Sequence, residues 1–361
     1  MRVVRAAAAE AEAPELIEVP EPSAGPGELV LRVQAVALAS DAALAMARSR
    51  GEPLIPTDGP SGFVTEVGRG VTAFQPGDRV VVPFAWPRGL ITEGRRRALL
   101  ERRRARWSRL EPAGLAESVR VPADFLEAGL VRRLPKSLGT VEAAYLGPLA
   151  EVTTALTELG LSLGDRLLIV GLDGAGLMAV QRAAALGAET IDVIDEGAPR
   201  LALAESFGAR VISAADLASG AAEAAARTSG GYDRILVTRA AADGIAFGLR
   251  SLAEGGALML PEAWPGELTI ELDLALLARR GGRLLTRSGA DERGRGEAFE
   301  LLRRQAINLE SLRYDLVECD RSEARLAALS DLADPSRTGT ILFPNGRRAR
   351  ESRRFEREPR A

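Results

Sequence analysis

Apolar and polar residues alternate along several short segments in the first part of the chain. Residues 28–36 show this period, which predicts a strand with one buried face. Residues 63–68 and 71–84 predict further strands around a Pro-Gly-Asp turn, and residues 114–122 predict another. The first part of the chain is therefore expected to form a β-rich domain.

The hydrophobic pattern changes after Gly147, where predicted strands begin to alternate with helices. Residues 148–160 predict an apolar helix, and residues 167–171 predict a strand that is apolar enough to be buried on both faces. The further elements predicted here are helices at 176–188 and 199–207 and strands at 191–195, 209–213, 234–238 and 256–260. This alternation indicates βαβ units and a parallel sheet.

The last part of the chain combines amphipathic helices and a charged tail. The helices are predicted at 297–307 and 322–333, and residues 340–343 are expected to end the ordered part of the chain. The tail is nearly free of hydrophobic residues and is expected to be disordered. These patterns divide the chain into a first domain at 1–150, a second at 151–290, a C-terminal segment at 291–346 and the tail at 347–361.

The composition is that of a globular protein and argues against several classes of function. The 361 residues are 46% hydrophobic and 27% charged, which suits two domains with separate cores. The net charge of -3 gives no basic field for nucleic acid, and no apolar run reaches the roughly 18 residues of a membrane span. Acidic residues stand where a signal peptide needs an apolar stretch, so a cytoplasmic location is expected.

Histidine is absent from the sequence, and Cys319 is the single cysteine. One cysteine excludes a disulfide within the chain and any zinc site built from several cysteines. The absence of histidine removes both the commonest metal ligand and the commonest acid–base residue. Catalytic chemistry would therefore have to rely on other side chains.

The order and spacing of several segments resemble the medium-chain dehydrogenase/reductase superfamily, most closely its alcohol and polyol dehydrogenase branch. The segments that carry the resemblance are residues 33–41, 59–81, 114–122, 147–156, 167–188, 231–238, 252–260 and 332–343. The resemblance implies an α/β fold, with a GroES-like β-barrel catalytic domain and a Rossmann domain built on a doubly wound parallel sheet. It also implies that the C-terminal segment returns to the catalytic domain. A small-molecule substrate in the cleft and a homo-oligomer, dimer or tetramer, are further implied.

The positions that hold zinc in this family carry other residues in this chain. The resemblance places Leu38 at a cysteine ligand, and Asp58 and Gly59 at the histidine and glutamate of a Gly-His-Glu triplet. Gly147 replaces a further glutamate, and residues 88–110, which match the structural-zinc lobe, contain no cysteine. Because one carboxylate cannot hold zinc, we expect no metal at either site.

A glycine-rich turn resembles the dinucleotide-binding turn of a Rossmann domain. The pattern G-x-G-x-x-G lets the backbone and a helix N-terminus approach a pyrophosphate. The residues of the turn predicted to bind the cofactor are Gly171, Asp173, Gly174, Ala175 and Gly176. Asp173 replaces the second glycine, and its carboxylate would repel a pyrophosphate. We therefore expect weakened binding, with Gly174 letting the loop shift.

Asp195 and Arg200 complete the predicted cofactor site. Asp195 ends the second predicted strand of this domain, where an acidic residue binds the ribose 2′-hydroxyl and repels a 2′-phosphate. Arg200 matches a position that is often basic in the family and would flank the adenine. NAD(H) is therefore predicted over NADP(H). The alternative is a Rossmann unit kept as a scaffold, with Asp195 as a solvated carboxylate.

Without zinc, another group must stabilise the developing alkoxide of a substrate. The resemblance places Ser40 at the hydroxyl of a proton relay, where it would hydrogen-bond the substrate oxygen. Asp41 in the same motif and Asp58 are the other catalytic candidates, since burial in the cleft would raise the pKa of Asp58. The alternatives are a structural turn carboxylate at Asp41 and a loop carboxylate at Asp58. Tyr145 is either a proton donor or a core residue.

Seven arginines lie between residues 95 and 106. They predict either a solvated or subunit-contacting helix, or an anion-binding surface.

Two functions are compatible with these residues. The first is a zinc-independent, NAD(H)-dependent oxidoreductase that transfers hydride to or from a carbonyl, an alcohol or an activated alkene. The second is a catalytically inactive relative that acts as a nucleotide sensor or scaffold. The persistence of the family motifs along the chain favours the enzyme. A carboxylate of Asp173 pointing into the phosphate site would favour the inactive protein.

Overall fold

The structure, a computed structural model, describes most of the chain. The described residues are 1–5, 15–38, 57–83, 110, 115–212, 227–228, 230–239, 242–260, 271–287, 289–310, 312, 315–318 and 340–343. The arginine run at 95–106, Cys319, the helix predicted at 322–333 and the tail predicted at 347–361 lie outside them.

Strands and helices within the described residues are numbered in chain order. The strands are β1 (Arg2–Arg5), β2 (Glu15–Glu18), β3 (Leu29–Leu38), β4 (Thr57–Val67), β5 (Arg79–Val81), β6 (Leu115–Ala116), β7 (Ser118–Val121), β8 (Arg132–Arg133), β9 (Arg166–Val170), β10 (Thr190–Ile194), β11 (Arg210–Val211), β12 (Tyr232–Val237), β13 (Leu252–Met259), β14 (Arg283–Leu285), β15 (Asp315–Glu318) and β16 (Thr340–Phe343). The helices are α1 (Ala123–Glu127), α2 (Thr140–Ala144), α3 (Leu146–Leu159), α4 (Gly174–Leu186), α5 (Ala198–Ser206), α6 (Ala242–Arg250), α7 (Leu274–Arg279) and α8 (Glu292–Arg303).

The first part of the chain forms antiparallel β-structure that the C-terminal strands join. Among the described strands, one sheet has the order β15-β16-β3-β4-β5-β8 with β7 also paired to β3, and a smaller sheet has the order β2-β1-β6. β16 runs antiparallel to β3, with Ile341 opposite Ala37. The C-terminal segment therefore returns to the first domain, in agreement with the GroES-like fold that the resemblance implies.

β3 is buried on both faces, whereas the alternating pattern predicted a single buried face. Leu29 and Val33 face the core of the β-rich part. Ala35 and Ala37 belong to a larger core that continues into the Rossmann part. The pairing of β3 with β4 is irregular between these two stretches, and such bulges bend and twist a strand. One strand therefore contributes to two cores, and only Arg32 among residues 29–37 is exposed.

The second part of the chain is a parallel sheet whose described strands have the order β11-β10-β9-β12-β13-β14. From β9, the strands β10 and β11 extend in one direction and the strands β12, β13 and β14 in the other. This is the doubly wound order of a Rossmann domain, which confirms the predicted fold class. The crevice for a ligand lies at the carboxyl ends of β9 and β12, where the winding direction reverses. Val170 ends β9 and pairs with Val237 on β12.

The helix predicted at 297–307 begins and ends earlier, as α8. Its first turn, from Glu292, is rich in arginine and glycine and offers no apolar period to recognise. The start is set by a cap instead, because the Asp291 carboxylate accepts a hydrogen bond from the Gly294 N–H at 2.6 Å. α8 packs against α3. No helix within the described residues is long and apolar enough to cross a membrane.

A buried carboxylate joins three strands of the parallel sheet. Asp192 on β10 is fully buried. It accepts hydrogen bonds from the Arg210 guanidinium on β11 at 2.7 and 2.8 Å and from the Tyr232 hydroxyl on β12 at 2.8 Å. Burial, followed by the neighbouring Asp192 carboxylate, raises the pKa of Tyr232 far above its ordinary value, so this hydroxyl remains a donor. Arg227 lies 3.4 Å from the same carboxylate.

We predict that Asp192→Ala lowers the free energy of unfolding by about 2 to 3 kcal/mol, because it leaves a buried tyrosine hydroxyl and a half-exposed arginine without their acceptor. Tyr232→Phe removes one donor only and should cost about 1 kcal/mol. Urea unfolding followed by circular dichroism measures both. Glu300→Ala, which removes an exposed ion pair with Arg303, serves as the control and should leave the midpoint unchanged. An Asp192→Ala midpoint equal to that of Glu300→Ala would contradict the prediction.

Candidate functional site

The glycine-rich turn between β9 and α4 has the close contacts that a dinucleotide-binding turn requires. Gly171 has a φ of +96°, and a Cβ there would lie 2.7 Å from the Thr238 hydroxyl. A Cβ at Gly176 would lie 2.4 Å from the Gly171 carbonyl oxygen. Only glycine at these two positions allows α4 to start so close to β9. The N-terminus of α4 therefore points to the crevice at the carboxyl edge of the sheet.

Asp173 occupies the N-terminus of α4 with its own carboxylate. It is the N-cap residue, and its Oδ1 accepts a hydrogen bond from the Gly176 N–H at 3.0 Å. The free N–H groups at a helix N-terminus are the donors that a bound phosphate would use. The carboxylate thus takes one of the donors of the predicted phosphate site, which is the arrangement that favours the inactive alternative.

The charged form of Asp173 is disfavoured where it lies. Desolvation by burial raises the pKa of this carboxyl, although the residue keeps part of its surface accessible. The Gly176 N–H, the Thr238 hydroxyl and the positive charges of Arg239 and Arg200 oppose this shift without cancelling it. A proton therefore binds to Asp173 more readily than to an ordinary aspartate, and a protonated Asp173 carries no charge to repel a phosphate.

Asp195 follows β10 and holds the neighbouring loops together from inside. Its carboxylate accepts hydrogen bonds at 2.7 Å from the N–H groups of Leu172 and Gly197. The Arg200 guanidinium donates from Nε at 2.9 Å, and the two side chains are only 1% and 4% exposed. Asp195 is therefore not the solvated carboxylate of the scaffold alternative. The contacts of Asp195 with ribose and of Arg200 with adenine stay predictions. Both contacts would require the ion pair between Asp195 and Arg200 to rearrange.

The turn residues and Asp195 are brought together at one edge of the sheet. Gly174 and Ala175 form the first turn of α4 beside Asp173, and the Leu172 N–H links the turn to Asp195. Ser40 and Asp41 lie outside the described residues. Asp58 lies on β4 opposite Ala37, and only its backbone is described. Tyr145 is buried in the larger core, where the core alternative placed it.

Two glycines that stand where the resemblance places glutamates line one cavity. Gly59 on β4 and Gly147 on α3 both lie on its wall. A Cβ at Gly59 would lie 2.8 Å from the Val82 carbonyl oxygen, so a longer side chain fits there only if the backbone moves. Within the described residues, no group of three or more histidine, cysteine, aspartate or glutamate side chains is placed to hold a metal. Glycine at positions 59 and 147 supplies no side-chain ligand for a metal on this wall of the cavity.

The same cavity is lined by charged side chains that the sequence offered no motif to find. They are Arg132 on β8 and Glu292 and Arg295 on α8. The guanidinium of Arg132 donates to the Glu292 carboxylate at 3.0 Å. Arg132 and the two α8 residues come from segments far apart in the chain, so only the fold brings them together.

Comparisons with known proteins agree with this architecture. A model of the alcohol dehydrogenase GroES-like domain matches residues 25–130, and a model of the zinc-binding dehydrogenase matches residues 174–303. An alcohol dehydrogenase of Geobacillus stearothermophilus is 30% identical over 268 residues, covering 71% of this chain and 76% of the relative. An alcohol dehydrogenase of Rhizobium meliloti is 29% identical over 294 residues, covering 76% of this chain and 82% of the relative.

Solved structures show the same fold. The 2R,3R-butanediol dehydrogenase of Bacillus subtilis superimposes with a TM-score of 0.75 at 21% identity, covering 95% of this chain and 99% of that one. A putative zinc-binding dehydrogenase of Sinorhizobium meliloti, solved bound to NADP, gives a TM-score of 0.76 at 21% identity with the same coverage. The chain belongs to the zinc-type alcohol and polyol dehydrogenase branch of the medium-chain dehydrogenase/reductase superfamily, a family of oxidoreductases.

We predict that Asp173→Gly tightens NADH binding by about ten-fold or more, because it frees the Gly176 N–H and removes a carboxylate beside the pyrophosphate. The lost cap costs little, since glycine is itself tolerated at an N-cap. NADH fluorescence titration measures the affinity.

The matched control for this substitution is Asp273→Gly. Asp273 caps α7 in the same way, accepting from the Leu276 N–H at 2.8 Å, away from the glycine-rich turn. This variant should bind NADH as the unmodified protein does. Equal affinities in Asp173→Gly and Asp273→Gly would mean that Asp173 does not limit the site.

Proposed function

We propose that the chain is a zinc-independent, NAD(H)-dependent oxidoreductase that transfers hydride to or from a carbonyl, an alcohol or an activated alkene. The observation that carries this proposal is the close geometry of the turn, in which Gly171 and Gly176 keep α4 against β9. The same contact brings the N-terminus of α4 to the crevice at the edge of the sheet, where a pyrophosphate would lie. The glycines at positions 59 and 147 support a reaction without zinc.

The cofactor would supply or accept the hydride, and the chain would bind and orient it. The N-terminus of α4 would face the pyrophosphate once Asp173 is protonated or turned away. Asp195 would take the ribose hydroxyls, and a 2′-phosphate at the same place would meet its carboxylate. Arg200 neutralises part of that charge, so the preference for NAD(H) over NADP(H) depends on how far this ion pair opens.

The substrate oxygen would be stabilised by protein groups in place of a metal. Ser40 would donate a hydrogen bond to it, and Asp58 or Asp41 would exchange the proton with the alcohol or carbonyl oxygen. The backbone of Asp58 beside Ala37 puts this residue on the strand that carries Gly59 into the cavity. We further propose a small-molecule substrate, a cytoplasmic location and a dimer or tetramer, from the family resemblance.

A second candidate is a catalytically inactive nucleotide sensor or scaffold. It is supported by Asp173, which already satisfies an N–H donor at the helix N-terminus. The two candidates differ in the fate of the bound nucleotide, because an enzyme oxidises or reduces it whereas a sensor releases it unchanged.

We predict that the chain binds NADH at least about ten-fold more tightly than NADPH, and that Asp195→Asn narrows this ratio by removing the charge that repels a 2′-phosphate. Fluorescence titration with both nucleotides measures the ratio, and NADH oxidation on a panel of aldehydes, ketones and enones measures turnover. Turnover that Ser40→Ala reduces supports the enzyme. Binding without any turnover favours the sensor. No binding of either nucleotide would contradict the enzyme and the sensor and would favour the scaffold.

Nucleotide affinity should also fall as the pH rises. Because the folded-state pKa of Asp173 lies above its ordinary value, the residue is protonated at low pH and becomes charged as the pH passes that raised pKa. Calorimetric titration with NAD⁺ between about pH 4.5 and 8 should therefore give the tightest binding at the acidic end. Asp173→Asn, which caps without titrating, should lose this dependence. If Asp173→Asn shows the same pH profile as the unmodified chain, the pH dependence of the affinity comes from another group.

The free energy of unfolding should change with pH in the same direction as the nucleotide affinity. A proton held more tightly by the folded state favours folding at low pH, and this contribution is lost as the pH rises through the raised pKa of Asp173.

A further inference from the structure

We infer that Arg239, just after β12, is a further nucleotide-binding residue whose guanidinium holds the diphosphate group once the Asp173 carboxylate has given way to it. This inference rests on the proposed function and deepens it, because it adds to the site a cation that the glycine motif does not contain. It starts from the place where β12 ends, beside β9 at the edge of the sheet where the winding direction reverses.

The segment that follows β12 contacts the glycine-rich turn directly. The Thr238 N–H donates to the Val170 carbonyl oxygen at 3.0 Å, and the Thr238 hydroxyl donates to the Gly171 carbonyl oxygen at 3.0 Å. A Cβ on Gly171 would lie 3.0 Å from the Cγ of Arg239 and 3.2 Å from its backbone nitrogen. The stem of the Arg239 side chain therefore lies against the turn, at the rim of the crevice where a nucleotide phosphate would bind.

The guanidinium of Arg239 has donors to offer a ligand. Within the described part of the chain it forms no ion pair and no hydrogen bond, and the residue is only partly exposed. Burial has the largest effect on the pKa of the Asp173 carboxyl and raises it, whereas the charge of Arg239 is among the influences that lower it. Guanidinium groups bind phosphate oxygens through paired N–H donors, and Arg239 can present such donors beside the turn.

Two guanidinium groups act on the charge of Asp173, and they differ in what else they bind. Arg200 is already held by Asp195 in a buried ion pair, whereas Arg239 has no such partner among the described residues. Asp243, in the first turn of α6, is exposed and forms no ion pair with Arg239 there. Arg239 thus opposes the charge of Asp173 while the site is empty. A phosphate that displaces this carboxylate takes over its place beside the guanidinium.

The inference is tested by calorimetric titration of the full chain with ADP, which carries the diphosphate but cannot exchange a hydride. Asp173→Gly is the background, because it removes the carboxylate that competes with the phosphate. In this background Arg239→Gln should weaken ADP binding by about ten-fold or more, since a charged donor to the diphosphate is lost. In the unmodified chain the same substitution should weaken binding less, because it also removes a cation that stabilises Asp173 in the empty site.

Two results would overturn the inference. If Arg239 served Asp173 alone, Arg239→Gln would leave ADP binding unchanged in the Asp173→Gly background. Arg239→Lys, which keeps the charge but not the planar group, should retain part of the affinity for ADP. A lysine variant as weak as Arg239→Gln would indicate that the guanidinium stacks on the adenine and does not hold the phosphate.

Arg283→Gln in the same background is the matched control. Arg283 is an exposed arginine at the start of β14, so it lies at the opposite edge of the parallel sheet from the turn. This variant should bind ADP as Asp173→Gly does, and circular dichroism checks that all variants are folded. ADP binding that does not depend on Arg239 overturns this inference alone. Absence of ADP binding in Asp173→Gly itself would contradict the nucleotide site of the proposed function as well, so the two failures are distinct.

Discussion

The contact between α4 and β9 governs the Rossmann part of the molecule. A Cβ on Gly176 would lie 2.4 Å from the carbonyl oxygen of Gly171. The helix can therefore start at this place only because residue 176 has no side chain. This contact sets the direction of the helix and brings its N-terminal N–H groups to the edge of the sheet where the strand order reverses. The positive end of the helix dipole lies there too, and the candidate site depends on which negative group occupies it.

Two carboxylates of the chain itself occupy this edge. Asp173 binds an N–H group of the helix, whereas Asp195 binds the N–H of Leu172 and the guanidinium of Arg200. In a bare turn, a bound nucleotide would satisfy such donors. Here the loop is ordered by its own acceptors, so a ligand has to replace them. Loop stability and nucleotide affinity are therefore opposed, and protonation of one buried acid shifts the balance between them.

The sequence predicted the strands and helices whose hydrophobic period is local, such as β9, β12 and α4. It could not predict both buried faces of β3, because these depend on a bulge and on two cores. It missed the true start of α8, which Asp291 sets by capping instead of by apolar spacing. The turn could be recognised from glycine spacing alone. The pairing of Asp195 with Arg200 is local, set by the turn between β10 and α5, but the resemblance directed both side chains toward a cofactor instead. The cavity beside Gly59 and Gly147 depends on packing between distant segments, which no local pattern records.

The chain departs from the family pattern at two places. Where the resemblance places the glutamates of the Gly-His-Glu triplet and of the later motif, the chain has Gly59 and Gly147, and both line one cavity. Where a bare helix N-terminus would meet a phosphate, the chain has the carboxylate of Asp173. Glycine offers no side-chain ligand to a metal, and a charged carboxylate at the turn opposes an anion. An oxidoreductase built this way would therefore have to stabilise its substrate oxygen without those glutamates, and it would have to release the cap of α4 when its nucleotide binds.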